Sequence, residues 1–232
     1  MFILYICTRD KFFFLARTVI RFFQYLLSPT KRYAYLLLLI LRFRPKTILE
    51  IGVYTGKRSK DMILASRIFN NKIFYYGFDL FEDFYKEKKI LEKELSKKPL
   101  TEKIIYNNLR KLAKPRLFKG YTYKTLKKFS KKKIKIDFVF IDGGHSIKTI
   151  KNDWFWVRKL LHKKSVVVFD DFYQTKKSNI ISKFGCNLVI QKLTKDYYYK
   201  ILSWFGVGGD FINVYNRKIK VFFALVRFKK KS

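Results

Sequence analysis

Thr47-Ile48-Leu49-Glu50-Ile51-Gly52-Val53-Tyr54-Thr55-Gly56 is the stretch on which the reading of this chain turns. Thr47–Ile51 is a short apolar run of strand type, broken only by an acid, and it leads into a Gly-rich bend that opens a helix expected over Ser59–Phe69. Gly52 and Gly56 let the backbone approach a ligand, and the free N–H groups of a helix start suit an anionic group. Two phosphate-binding patterns come near and fail. Tyr54 stands where a dinucleotide G-x-G-x-x-G needs its second glycine. A P-loop fails as well, because only three residues separate Gly52 from Gly56 and Arg58 falls between Lys57 and Ser59. Hydride transfer and ATP hydrolysis therefore recede as leading functions.

Outward from this stretch the pattern repeats. Further strands are expected at Ile73–Phe78, Leu117–Lys119, Asp137–Ile141 and Val166–Phe169. Between the last two, Ile147, Ile150, Trp154, Val157 and Leu161 step by 3, 4, 3 and 4 residues, which is one face of a helix. Continuously apolar strands alternating with helices indicate a parallel sheet covered on both faces. The tail changes character: Asn187–Leu193, Asp210–Asn216 and Ile219–Arg227 read as strands of an antiparallel ending, separated at Gly206–Gly209 and Asn216-Arg217. Phe81–Arg116 reads as a Lys-dense insertion with helices over Glu82–Leu95 and Thr101–Ala113, either a lid or a pair of solvated crossover helices. Residues 1–44 form a basic, aromatic helical extension, with helices over Phe12–Leu27 and Lys31–Phe43 and Thr30 as the cap of the second. Residues 45–232 form the main domain.

The 232 residues carry 52 Lys and Arg against 17 Asp and Glu, a formal charge of +35. With 25 Phe and 16 Tyr there is ample material for a core, which excludes intrinsic disorder. The charge favours anionic partners, namely RNA, an acidic glycan or small molecule, or an acidic membrane surface. An A/T-rich genome gives the same Lys, Phe, Tyr, Ile and Asn bias without any such partner. Cys7 and Cys186 are the two cysteines and match no disulfide or zinc spacing, which points to a reducing, cytoplasmic setting. No uncharged run near the N-terminus approaches the roughly 20 residues of a spanning helix, and no charged residue precedes the apolar start as a signal peptide requires. Phe12–Leu27 can instead lie on a membrane surface, with Arg17 and Arg21 among aromatics, or pack on the domain or a partner subunit.

Three further places bear acids that can do chemistry. Asp79 closes Tyr76-Gly77-Phe78-Asp79 at a strand end, where a carboxylate accepts hydrogen bonds from two ribose hydroxyls or caps the next helix. Asp142, in Ile141-Asp142-Gly143-Gly144-His145-Ser146, and Asp170-Asp171, after Val168-Phe169, follow neighbouring strands about 4.8 Å apart. Carboxylates converging at one rim repel one another unless a hard divalent ion such as Mg²⁺ lies between them. The alternative leaves Asp142 as a ligand contact and Asp171 as a helix cap. His145, in a polar glycine turn, can accept a proton or orient Asp142.

Taken together, Glu50-Ile51-Gly52-x-x-x-Gly56, Gly77-Phe78-Asp79, Phe138–Ser146 and Val168–Asp171 resemble class I S-adenosylmethionine-dependent methyltransferases, and more closely the methyltransferase domain 24 group. The resemblance spans about Pro45–Tyr173. It implies a Rossmann-like, seven-stranded, mostly parallel sheet with helices on both faces and an antiparallel C-terminal strand. It also implies Glu50, Gly52 and Gly56 around the methionine part of the cofactor and Asp79 on its ribose. The Asp142, Asp170, Asp171 set is similar to the metal ligands of catechol-type O-methyltransferases, and His145 stands where that family places a general base. Two positions depart. Gly120-Tyr121-Thr122 lacks the acid that often meets the adenine amine, and the base position holds His in place of Lys. The function implied is O-methylation of a small-molecule or glycan hydroxyl, with Mg²⁺ assistance, with His145 and Asp142 as catalytic residues. RNA methylation and a non-enzymatic role at a membrane surface are the rival readings.

Overall fold

The computed structural model describes residues 2–83, 99–175, 178–203, 210–214 and 217–229. The stretch that opens the reading above is β1 (Thr47–Ile51). It is followed by α3 (Lys57–Arg67), β2 (Phe74–Asp79), α4 (Glu102–Leu109), β3 (Lys114–Lys119), α5 (Thr122–Ser130) and β4 (Ile136–Ile141). Then come α6 (Ile147–Val157), β5 (Leu161–Gln174), two short helices α7 (Ser178–Ile181) and α8 (Asn187–Gln191), β6 (Tyr197–Leu202), β7 (Asp210–Val214) and β8 (Arg217–Phe228). Ahead of them lie α1 (Phe2–Leu26) and α2 (Arg32–Phe43).

Eight strands among the described residues join one sheet in the order β3-β2-β1-β4-β5-β8-β6, with β7 also paired to β8. The first five are parallel, and β5-β8, β6-β8 and β7-β8 are antiparallel. The strand order reverses between β1 and β4, so a crevice opens there beyond the strands' C-terminal ends. Gly52, Asp79 and Asp142 all sit at that rim.

Strand periodicity explains why both faces are apolar. Ile48, Tyr75, Phe138, Phe140, Val166 and Val168 point to the face packed by α1–α4, while Leu49, Tyr76, Val139, Ile141, Val167 and Phe169 point to the other. The first face also receives Tyr33, Leu36, Leu37 and Ile40 of α2, each less than a tenth exposed. At roughly 1.5–3 kcal/mol per buried side chain, the N-terminal pair of helices is part of the main core. The docking is polar as well: Asp61 of α3 accepts from Arg21 Nε at 2.9 Å and from the Tyr25 hydroxyl.

Several expectations needed correction. Asn187–Leu193 is not a strand but begins as α8, because the Asn187 side chain itself takes the ladder positions. Its Oδ1 accepts from Tyr173 N and its Nδ2 donates to Tyr173 O, both at 2.9 Å. The antiparallel ending does comprise three strands, but β6 (Tyr197–Leu202) lies outside the three expected stretches, of which only β7 and β8 are strands. Thr101–Ala113 is a helix only to Leu109, since Lys114–Lys119 is drawn into the sheet edge against β2. Lys31, not Thr30, precedes α2, and no side chain caps it. The expected helix over Glu82–Leu95 and the turn at Gly206–Gly209 fall largely or wholly outside the described residues.

Candidate active site

The glycine bend has one obligatory glycine. Gly52 has φ +90°, a Cβ there would fall inside the Asp142 carbonyl oxygen and 2.9 Å from Gly143 Cα, and its N–H donates to Phe78 O at 2.9 Å. The end of β1 is thus pressed between the ends of β2 and β4. Gly56, with φ +71°, starts α3 without a side-chain cap, so first-turn N–H groups remain open to an anion beside Lys57 and Arg58.

Asp79 joins the bend directly. One oxygen accepts from Tyr54 N at 2.8 Å and the other from Phe81 N at 2.9 Å. A carboxylate has about four acceptor positions, so two stay available to hydroxyls. Glu50 lies elsewhere. It is wholly buried beneath the bend, where its Oε2 accepts from Ser59 Oγ and from the Tyr75 hydroxyl. Its Oε1 meets no hydrogen-bond partner among the described residues. Burial pushes the Glu50 carboxyl up to about 7, against the pull of those two hydroxyls.

From the end of β4 and from within β5 the acids converge on a small cavity lined by Asp142, Gly143, Gly144, His145, Asp170 and Asp171, among others. A β-bulge makes this convergence. Between Phe169↔Ala224 and Phe172↔Phe222, β5 spends one more residue than β8, and Asp171 takes φ +59°. Successive strand residues normally face opposite ways, and a bulge re-aims them. His145 Nδ1 bonds Asp171 Oδ2. The two loops are clipped together by Gly185 N to His145 O and Cys186 N to Asp171 O, at 2.9 and 3.0 Å.

Residues that the sequence reading did not single out complete the cluster. Arg32, at the head of α2, donates from Nε and Nη2 to the two oxygens of Asp170, both at 2.8 Å, and from Nη1 to Asp210 at 2.5 Å. The Tyr33 hydroxyl donates toward Asp142 at 3.2 Å and Asp170 at 3.3 Å. The available signal was that Arg32, next to Lys31, heads the uncharged run Tyr33–Leu41. Burial and the charges of Asp170 and Asp171 push the Asp142 carboxyl well above its usual range. Burial pushes Asp170 the same way, but the Arg32 charge and hydrogen bonds outweigh it and hold Asp170 below its usual value. The two neighbouring carboxyls are thus pushed in opposite directions, Asp142 up and Asp170 down.

The three aspartates expected to hold Mg²⁺ are brought together, yet they do not fit a divalent ion in this arrangement. Both Asp170 oxygens face a guanidinium and Asp171 is on His145, whereas Mg²⁺ needs open oxygen donors. Among the described residues no group of three or more His, Cys, Asp or Glu is arranged to hold a metal ion.

This sheet order, with a glycine bend after β1 and an acid after β2, defines an α/β fold of the methyltransferase type. Residues 49–172, more than half of the chain, match the family "Methyltransferase domain" (Methyltransf_24), and the chain belongs to that family. No curated protein sequence matches it. Among solved structures it is similar to the O-methyltransferase TomG of Streptomyces achromogenes, described in complex with SAM (15% identity, TM-score 0.54, 88% of this chain and 82% of that one). It is also similar to an O-methyltransferase of Bacillus cereus in complex with SAH (16%, 0.55, 95% and 91%) and to cofactor-bound Rv0187 of MTB (13%, 0.58, 94% and 90%). At these identities the likeness is one of fold.

Proposed function

We propose that this chain transfers a methyl group from S-adenosylmethionine to a hydroxyl on a small molecule or glycan. The observation that carries the reading is the His145–Asp171 pair, held at the strand rim shared with the Gly52 bend and Asp79. The residues fit the cofactor. Gly52 lets the end of β1 lie against the end of β4 at the crevice, the open start of α3 suits the methionine carboxylate, and Asp79 retains acceptor positions for the ribose. Bound there, S-adenosylmethionine would supply an electrophilic methyl group on a positive sulfonium. The similar O-methyltransferases described with SAM or SAH support the same reading.

The chain's own groups then have separate tasks. Asp171 accepts the Nδ1 proton of His145 and so leaves Nε2 as the acceptor for the substrate hydroxyl proton. Proton removal raises the nucleophilicity of that oxygen as it approaches the methyl group. Asp142 lines the same cavity as His145 and Asp171 and faces that oxygen from the end of β4. Calorimetry with S-adenosylhomocysteine tests the reading. Micromolar binding supports it, and no binding would leave only the fold and return the non-enzymatic reading to the front.

A second reading concerns where the protein works: α1 rests on an anionic lipid surface. Its inner stripe of Phe14, Thr18 and Tyr25 packs on the domain, while Phe12, Val19, Phe23 and Leu27, spaced 7, 4 and 4 residues, face outward. Phe12 is 72% exposed and Leu27 87%. Among the described residues no helix is long and apolar enough to cross a membrane, so contact would be peripheral. The +35 charge disfavours a second copy of this chain as the occupant and favours anionic headgroups. RNA has only the charge and the abundant Tyr and Phe in its support. The buried free thiol of Cys186 is consistent with a reducing, cytoplasmic face of such a membrane.

A further inference from the structure

We propose that Arg32 is the resident cation of the aspartate cluster, standing where a divalent ion would have to lie, so that α2 is a working part of the catalytic site. The inference deepens the methyl-transfer reading and rests on it for the site's purpose, but not for its chemistry.

Three observations carry it. The Arg32 guanidinium meets Asp170 through two parallel hydrogen bonds and Asp210 through a third, and its side chain is only 9% exposed. The planar fork matches a carboxylate in a way a lysine cannot. Second, aromatic rings pack around the guanidinium. Its ring neighbours are Tyr33 at 4.7 Å and Phe223 at 5.7 Å, and Arg58 stacks on the far side of the cluster, 3.6 Å from the Tyr33 ring centroid. Third, the carboxyl groups near the guanidinium come from three separate places in the chain: Asp142 after β4, Asp170 in the β5 bulge and Asp210 at the start of β7. Neutralising that convergence is the task for which Mg²⁺ was expected, and a cation fixed in the chain does it without a metal-binding equilibrium.

Arg32 thereby acts as a positioning residue. It fixes the Asp170 carboxylate, whose Oδ1 accepts from Asp171 N at 2.7 Å, and so sets the bulge that aims Asp171 at His145. Removing the guanidinium would leave clustered carboxylates with no counter-charge, which is costly in a buried site. It would also create the acid cluster that a divalent ion prefers.

The test is titration with Mn²⁺, followed by the loss of its free paramagnetic signal, on the full-length protein and on Arg32→Ala, with melting temperatures measured in parallel. The unaltered protein should take up no Mn²⁺ at sub-millimolar concentration, and chelator should leave its S-adenosylhomocysteine affinity unchanged. Arg32→Ala should melt about 10 °C lower, and Mn²⁺ should bind it and restore part of that loss. If Arg32→Ala does not fold, Arg32→Met combined with Asp170→Asn removes both charges. It should melt well above either single variant and bind no Mn²⁺. Stoichiometric Mn²⁺ uptake by the unaltered protein, abolished by Asp170→Asn, would overturn the proposal. So would an Arg32→Ala protein that is as stable as the parent and gains no affinity for Mn²⁺. Failure of the methyl-transfer reading appears separately, as absent binding of S-adenosylhomocysteine with the Mn²⁺ results intact.

Discussion

Replacing Gly52 with alanine should damage stability and cofactor binding together, and the structure says by how much. Gly52 has φ +90°, where an L-residue pays roughly 1–2 kcal/mol. The added Cβ would also overlap the Asp142 carbonyl and lie 2.9 Å from Gly143 Cα. Both neighbours are backbone, so no side chain can swing aside, and overpacking of this kind costs about 1–3 kcal/mol. Together these give a loss of about 2–5 kcal/mol in urea unfolding. Relief requires the ends of β1 and β4 to part by about 1 Å, a displacement that can cost about 100-fold in turnover. Gly144→Ala is the control. Its Cβ would meet only the Thr149 side chain, at 3.1 Å, and its backbone needs no positive φ. It should unfold within about 1 kcal/mol of the parent. A Gly52→Ala protein with the parent's urea midpoint and the parent's affinity for S-adenosylhomocysteine would refute the view that the β1 bend is wedged against β4.

Further measurements address the remaining assignments. The Glu50 carboxyl binds its proton more tightly folded than unfolded, its value rising from 4.5 to about 7, so its contribution is intact below about 4.5 and is lost as pH climbs through 7. Glu50→Gln should therefore gain on the parent by about 3 kcal/mol between pH 4.5 and pH 8; stability curves that stay parallel over this range would contradict the burial argument. Asp79→Ala should weaken S-adenosylhomocysteine binding, while His145→Ala should leave it intact and lower kcat by about 10²–10⁴-fold. Equal losses of affinity in both would dissolve the division of roles. In vesicle flotation the protein should rise with phosphatidylserine-containing vesicles and not with phosphatidylcholine alone, and Phe23→Glu should abolish the effect. Self-association that Phe23→Glu relieves, with no flotation, would assign the α1 face to a second copy instead.

How much of this was legible in the sequence follows from the range of the interactions involved. The strand β1 came out at its observed bounds, and β2, β4 and the helix stripe after Ile147 came out within a few residues, because local apolar periodicity determines them. The same local patterns located Gly52, Asp79, Asp142, His145, Asp170 and Asp171, and the fold brought them to one rim. Elements whose state depends on distant partners were misread. Asn187 bonds to the backbone of Tyr173 and holds α8 where a strand was expected, and β6 exists because β8 offers it an edge. Glu50, expected beside the cofactor, lies beneath the bend on the hydroxyls of Ser59 and Tyr75, and Tyr75 comes from the neighbouring strand.

The charge state of the site shows the same division most plainly. The sequence by itself determined that acids follow the ends of successive strands, since strand, glycine and aspartate are written in contiguous residues. It did not determine what neutralises them. Arg32 and Asp170 are 138 positions apart, and Arg32 and Asp210 are 178 apart. Only the tertiary packing of α2 against the sheet brings that guanidinium among them. An electrostatic partner is chosen by distance in space, and a linear pattern carries no record of that distance until the chain has folded.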